Sequence, residues 1–174
     1  MILQTKISSF NSTRETEVLQ KTKEHTVKNW IDAIKNSDYK ETIEAIREGN
    51  KELKKDLPTI AFHGLFDTFR KKKDFYEASG LIILDIDNIS PEDDLEEIKQ
   101  DIMDSDDSVF AVMISPSGNG IKILYYVQPD LVNADNYNQI GKQLVNNFDL
   151  YGKVDYLSVT DCLIMTYDPN ILIN

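Results

Sequence analysis

Two aspartates one residue apart, Asp85 and Asp87, end an almost wholly apolar run, Gly80-Leu-Ile-Ile-Leu-Asp-Ile-Asp87. In an extended strand, residues i and i+2 project on the same face, so the two carboxylates point together while Ile86 points away. Such a pair at the end of a core strand repels itself and loses hydration unless a cation or water meets it. Hard oxygen donors of this kind suit Mg²⁺ or Mn²⁺, and with them phosphate chemistry. The plainer alternative is that both acids end the strand and cap a turn at Asn88.

A second group lies in Ser115-Pro-Ser-Gly-Asn-Gly-Ile-Lys122. Small residues there let backbone N–H groups approach a phosphate, and the lysine adds charge, which makes Ser115, Ser117, Gly118, Gly120 and Lys122 candidate contacts to a nucleotide triphosphate. The spacing is not that of a Walker loop, no helix follows, and an ordinary hairpin turn with an exposed lysine explains the same residues. A third acid, Asp155 in Lys153-Val-Asp-Tyr, can be brought beside the first pair by folding. Three carboxylates can hold two metal ions, one lowering the pKa of an attacking 3′-hydroxyl and one stabilising departing pyrophosphate. Taken alone, Asp155 is an ordinary loop acid, as are Asp149 and Asp161. His25 and His63 have no partner at metal-ligand spacing and read as surface or core residues. No Ser-His-Asp or Cys-His set can be assembled, and the single Cys162, inside Cys162-Leu-Ile-Met, reads as packing and excludes a disulfide framework or Cys-based zinc site.

These residues need a sheet to carry them. Ile2 to Phe10 alternates enough for a first strand, and Asn11-Ser-Thr-Arg offers a helix start. Val18, Val27, Trp30, Ile31 and Ile34 suit an amphipathic helix, and Ile43, Ile46 and Leu53 a second one ending before Leu57-Pro58, so that 11–57 forms a helical cap. A short strand and turn follow from Thr59, then the central strand ending at Asp87. Ser90-Pro-Glu-Asp supplies an N-cap for a helix running to Met103. Ser108 to Ile114 and Ile121 to Val127 are strands joined by the glycine-bearing turn, Ala134 to Asn147 is a helix, and Asp161 to Tyr167 is a closing strand. The order predicts an α+β domain over 1–174, its sheet core over 58–174 running βαββαβ as in RRM-like and ferredoxin-like folds.

Composition narrows the classes. A formal charge of −11 argues against broad adhesion to nucleic acid or acidic lipid, so any such contact is local, with candidate basic clusters at Lys51, Lys54 and Lys55 and at Arg70 to Lys73 that otherwise read as solvated surface. No apolar run is long enough for a membrane span and the N-terminus lacks a secretory stretch, which predicts a cytoplasmic protein without membrane contact.

The succession Leu-Asp85-Ile-Asp87, Ser-Pro-Ser-Gly-Asn-Gly-Ile-Lys122, Val-Asp155 and Thr-Tyr167-Asp-Pro resembles the N-terminal domain of VirE-like proteins of Bacteroidetes mobile elements. Ser12-Thr-Arg-Glu-Thr, Leu57-Pro58 and Gly64-x-Phe66 extend the resemblance over most of the chain. That family is regarded as a branch of the archaeo-eukaryotic primase superfamily, whose sites use an Asp-x-Asp strand, a small-x-His strand and a later hydrophobic-Asp. The resemblance implies a metal-dependent nucleotidyltransferase, primase- or polymerase-like, with Asp85, Asp87 and Asp155 as catalytic ligands of Mg²⁺ or Mn²⁺, two ions in an active enzyme. Lys122 stands where the superfamily places a nucleotide-binding histidine, and Asp161 where a basic residue is expected. Implied partners are a nucleotide triphosphate, a DNA or RNA template, and a helicase-like C-terminal region or partner from which this domain reads as excised. Two other classes compete: a non-catalytic relative that binds nucleic acid or a replication partner, and a haloacid-dehalogenase-like phosphatase with Asp85 as nucleophile.

Overall fold

In the computed structural model, which describes residues 2–17, 25–36, 39–148 and 151–174, the expected first strand is cut short. A 3-10 turn covers Ile2–Gln4 and only Ser8–Phe10 is extended as β1. Between them the backbone is already committed elsewhere, Ile7 N donating to His25 O at 3.0 Å and Val27 N to Thr5 O at 3.0 Å. Asn11 to Arg14 forms bends and turns rather than a helix start, because Thr13 N and Oγ1 both donate to Lys55 O. Val18, expected on the first helix, lies outside the described residues.

Helix α1, Val27–Asn36, buries Val27, Ile31 and Ile34, and the Thr26 and Asn29 side chains satisfy each other's amides at its start. The second helix is shorter than the apolar spacing suggests. It runs as α2, Lys40–Arg47, burying Ile43 and Ile46, and stops before Gly49, whose φ of 119° is open to glycine, after which Lys51–Asp56 tightens into a 3-10 turn.

Strands β2, Thr59–Ala61, and β3, Gly64–Phe66, follow, and β4, Phe75–Ala78, forms a hairpin with β3 that the sequence did not announce. The apolar run becomes β5, Leu81–Asp87. Helix α3, Leu95–Ser105, is capped by Asp94, whose carboxylate accepts from Glu96 N and Glu97 N, rather than by Ser90, which begins a preceding turn (Asp93 N to Ser90 O, 3.0 Å). Then come β6, Val109–Ile114, β7, Ile121–Tyr126, and helix α4, Tyr137–Leu144, with a 3-10 turn over Val145–Asn147. Strands β8, Lys153–Tyr156, β9, Leu163–Ile164, and β10, Leu172–Ile173, complete the chain.

The main sheet is five-stranded and antiparallel in the order β10-β6-β7-β5-β8; β1, β2 and β9 form a smaller one. The closing strand expected over Asp161 to Tyr167 is therefore only the short β9, and it joins the smaller sheet. The strand that pairs with β5 on the side away from β7 is β8, the segment that carries Asp155. The fold is α+β with antiparallel sheets.

Alternation along β5 divides the core. Leu81 and Ile83 pack with Ile31, Ile34, Ile43 and Ile46 of the N-terminal helices, whereas Ile82, Leu84 and Ile86 pack with Ile102 of α3 and Tyr137 of α4. Asp85 and Asp87 continue the first of these faces, toward α1 and α2. A buried ion pair ties α3 to the C-terminal segment: Lys99 Nζ donates to Asp168 Oδ2 at 2.8 Å and to Asn170 O at 2.9 Å, and Asp168 Oδ2 also accepts from Ile114 N at 2.8 Å. Among the described residues no helix is long and apolar enough to cross a membrane.

Candidate functional site

Asp85 is flanked by charged neighbours on both sides. In the β5–β7 register it faces Lys122, and in the β5–β8 register it faces Asp155, while Asp87 faces Lys153. Directly opposed residues share a sheet face, so Asp85, Asp87, Asp155, Lys122 and Lys153 stand together on the face covered further along by α1 and α2.

Lys122 Nζ forms an ion pair with Asp85 Oδ2, whereas Asp85 Oδ1 is buried without a hydrogen-bond partner among the described residues. Burial lifts the Asp85 carboxyl above the usual range; the Lys122 ammonium opposes that shift, Asp87 adds to it, and the Lys54 charge from the 3-10 turn acts with Lys122. Asp155 is different in kind. Its side chain is 63% exposed, against 18% for Asp85, and it pairs with Lys153 at 2.9 Å.

The glycine turn reaches the same end of β5. Ser115 N donates to Gly120 O at 2.8 Å and Gly118 N to Ser115 O at 3.0 Å, with Gly118 at φ 77°, and the Ser115 and Ser117 hydroxyls lie 3.2 Å apart. Ile89 N donates to Asn119 O at 3.2 Å, which fastens the turn to the residues after β5. A Cβ on Gly120 would lie 2.5 Å from Ile86 O and 3.4 Å from both Asp87 Oδ1 and Ser115 Oγ, so the turn packs against Asp87. All eight sequence-derived site residues are thus gathered around the end of β5, with Asp155 at the exposed rim.

Arg47 was invisible in the sequence. From the end of α2 its Nη2 donates to Ser115 O at 3.3 Å and Tyr167 O at 2.8 Å, and its stem lies 3.1 Å from where a Cβ on Gly118 would be. It joins the helical layer, the turn and the C-terminal segment at one point. Lys54 belonged to a cluster readable as solvated surface; its electrostatic reach to Asp85 emerges only from the fold.

The donor set can be compared with what a divalent ion needs. Mg²⁺ commonly takes one or two carboxylates and completes its shell with waters and substrate phosphates. Asp85, with an unpartnered oxygen, and exposed Asp87 on the same face fit one such ion. Among the described residues no group of three His, Cys, Asp or Glu side chains is arranged to hold a metal. Asp155 would have to leave Lys153 to contribute.

The remaining chemistry-bearing residues serve the fold. His63 is buried among the rings of Phe66, Phe75 and Tyr137, Nε2 donates to Val159 O at 2.9 Å, and burial pushes its pKa down to about 4. His25 stacks on Trp30. Burial pushes the Cys162 thiol up to about 12, which removes it as a nucleophile. Asp161 Oδ2 accepts from Ser158 N and Oγ and so caps its own turn. Asp149 lies outside the described residues. The basic run is not one open patch either: Arg70 turns inward to Thr59 Oγ1 and Thr13 O, and Lys72 meets Asp135 at 2.8 Å.

Fold and site together define an α+β protein with a partly buried acidic centre, bordered by lysines, at the end of its central strand. The family model described as BT4734-like, N-terminal domain, matches residues 52–155, more than half of the chain and a span that contains Lys54, Asp85, Asp87, the glycine turn, Lys122 and Asp155. The chain belongs to this family. No curated protein and no solved structure matches it.

Proposed function

We propose that this chain is a metal-dependent nucleotidyltransferase domain of the primase-polymerase kind, related to VirE-like N-terminal domains and serving the replication of a mobile element. One observation carries the reading: Asp85 and Asp155 are cross-strand neighbours, with Asp87 on their face and the glycine turn packed against Asp87. The order β5-α3-β6-β7-α4-β8, with β6-β7-β5-β8 as neighbours in the sheet, supports an RRM-like or ferredoxin-like βαββαβ core.

Bound Mg²⁺ or Mn²⁺ would neutralise phosphate charge and make an attacking hydroxyl more acidic. Asp85 and Asp87 are the residues that would hold it, with Asp155 at the rim as a further carboxylate for a second ion. Ser115 and Ser117 offer hydroxyls to a triphosphate, Gly118 and Gly120 let it approach the backbone, and Lys122 and Lys54 supply positive charge. Arg47 positions the turn by holding Ser115 O. Catalysis on this plan is orientation and charge neutralisation, with no covalent intermediate on the protein. A DNA or RNA template and a helicase-like partner complete the proposal.

Template-directed primer synthesis with Mn²⁺ tests it. Incorporation by this chain that is lost in Asp87→Asn agrees with the proposal; incorporation that is unchanged in Asp87→Asn contradicts it. A second reading, a non-catalytic relative that binds nucleic acid or a replication partner, is favoured by the internal neutralisation of Asp85 by Lys122 and of Asp155 by Lys153. A folded chain that binds template without incorporating nucleotide supports that alternative.

A further inference from the structure

The ion pair between Lys122 and Asp85 raises a question that the nucleotide-contact role of Lys122 does not answer. Among the described residues Lys122 is one of few buried charged ones, and its ammonium is directed to a carboxylate of the site rather than to solvent. It satisfies Asp85 Oδ2 and leaves Oδ1 buried without a partner among the described residues. A carboxylate in that state is already charge-balanced, yet retains an unused acceptor. Lys153 pairs with Asp155 at 2.9 Å, though both side chains are exposed, and it lies across the β5–β8 register from Asp87, so of the three aspartates Asp87 alone makes no ion pair of its own with either lysine among the described residues.

A divalent ion on Asp85 Oδ1 would stand close to the Lys122 ammonium on Oδ2, and their repulsion grows as the local dielectric falls. A free divalent ion therefore either bears that repulsion or displaces Lys122 from Asp85 and leaves a partly buried ammonium unpaired, at substantial cost in both cases. A metal–triphosphate complex avoids that cost, because its phosphates give Lys122 a new partner as the metal takes Asp85. The glycine turn, one strand-end away from Lys122 and packed on Asp87, is where those phosphates would lie.

From this geometry, and resting on the metal–nucleotide reading above, we infer that Lys122 is a resident cation that closes the carboxylate site, so that a divalent ion enters together with a polyphosphate rather than alone. The substrate class is thus the preformed metal–nucleoside triphosphate complex, and Lys122 sets that specificity by exchanging Asp85 for a phosphate. The binding of metal and of triphosphate is then reciprocally coupled, each raising the affinity of the other by the same factor.

The test is calorimetric titration of MnCl2 into the chain and into Lys122→Met, each with and without a non-hydrolysable ATP analogue. Lys122→Gln, which keeps a donor for Asp85 without the charge, carries the same expectation and serves as the more conservative variant. The parent chain should bind Mn²⁺ alone weakly and roughly tenfold more tightly with the analogue, whereas both variants should bind Mn²⁺ alone roughly tenfold more tightly than the parent and gain little from the analogue. If parent and variants bind Mn²⁺ alone with equal affinity, Lys122 does not guard the site, and the inference fails while the metal site stands. If no folded protein takes up Mn²⁺ with or without the analogue, the metal-site reading itself fails and the inference with it.

Discussion

Asp85 and Asp155 face each other directly across the antiparallel pair of β5 and β8, and Asp87 lies two residues further along the same face. Three acids in such proximity, offset by Lys122 and Lys153, are held by the fold at some cost in self-repulsion. Asp87 contributes to that repulsion, since its charge helps to raise the Asp85 carboxyl. Asp87→Asn should therefore leave the fold intact, lower the Asp85 carboxyl toward its ordinary range, and abolish divalent binding. Thermal melting with Mn²⁺ titration checks this, and unchanged Mn²⁺ affinity would remove Asp87 from the site.

The glycine turn is restricted by its surroundings. A methyl at Gly120 would press on Ile86 O from 2.5 Å, where backbone rather than a flexible side chain must give. Gly120→Ala should cost about 1–3 kcal/mol, the usual range for overpacking, and weaken triphosphate binding by displacing the turn from Asp87. Denaturant unfolding that finds this variant as stable as the parent would show that the turn has room to move.

Lys99 and Asp168 form the most buried ion pair of the described residues, with side chains 0% and 1% exposed. Asp168→Ala leaves the buried Lys99 ammonium with only the half-exposed Glu96 carboxylate as counter-charge and Ile114 N without its acceptor, so a loss of about 3 kcal/mol, the low end for a broken buried pair, is expected. Adding Lys99→Met should recover a substantial part of it, because the stranded charge is then gone. A double variant no more stable than Asp168→Ala alone would mean that the backbone contacts of Asp168 dominate.

Which parts of this architecture the sequence disclosed follows from how each part is stabilised. Strand β5 was legible because its residues are apolar on both faces, and α1 because Val27, Ile31 and Ile34 fall on one stripe. Strand β8 was hidden: Val154 is its one buried side chain, and Lys153 and Asp155 give it the look of a polar loop. Exposed Tyr76 and Glu77 concealed β4 in the same way. Ser90 and Asp94 are both plausible caps by residue type, and only the path of the chain selects Asp94. The Asp85 and Asp87 pair and the glycine turn could be named from spacing, but the contacts of Lys122 with Asp85 and of Arg47 with Ser115 depend on strand register and on a helix distant in sequence.

His63 gives the fold a pH dependence of its own. Its pKa is about 4 in the folded chain against an ordinary 6.5, so between those values the unfolded chain binds a proton that the folded chain does not. Stability from this group is present above pH 6.5 and is lost as pH falls toward 4, by on the order of 3 kcal/mol in all. Asp85, shifted upward, titrates in the opposite sense, so the comparison of interest is between the chain and His63→Phe. The variant should show a shallower fall in stability over that window; an identical slope would assign the acid sensitivity to other groups.

The central claim is a metal-dependent nucleotide site at the end of β5, and calorimetric titration of ATP and dATP into the folded chain, with Mn²⁺ and then with chelator, tests it most directly. Saturable binding that disappears with chelator is the predicted result. A folded chain that binds neither nucleotide in the presence of Mn²⁺ would contradict the claim and leave the carboxylates of Asp85, Asp87 and Asp155 as parts of a domain retained for interaction.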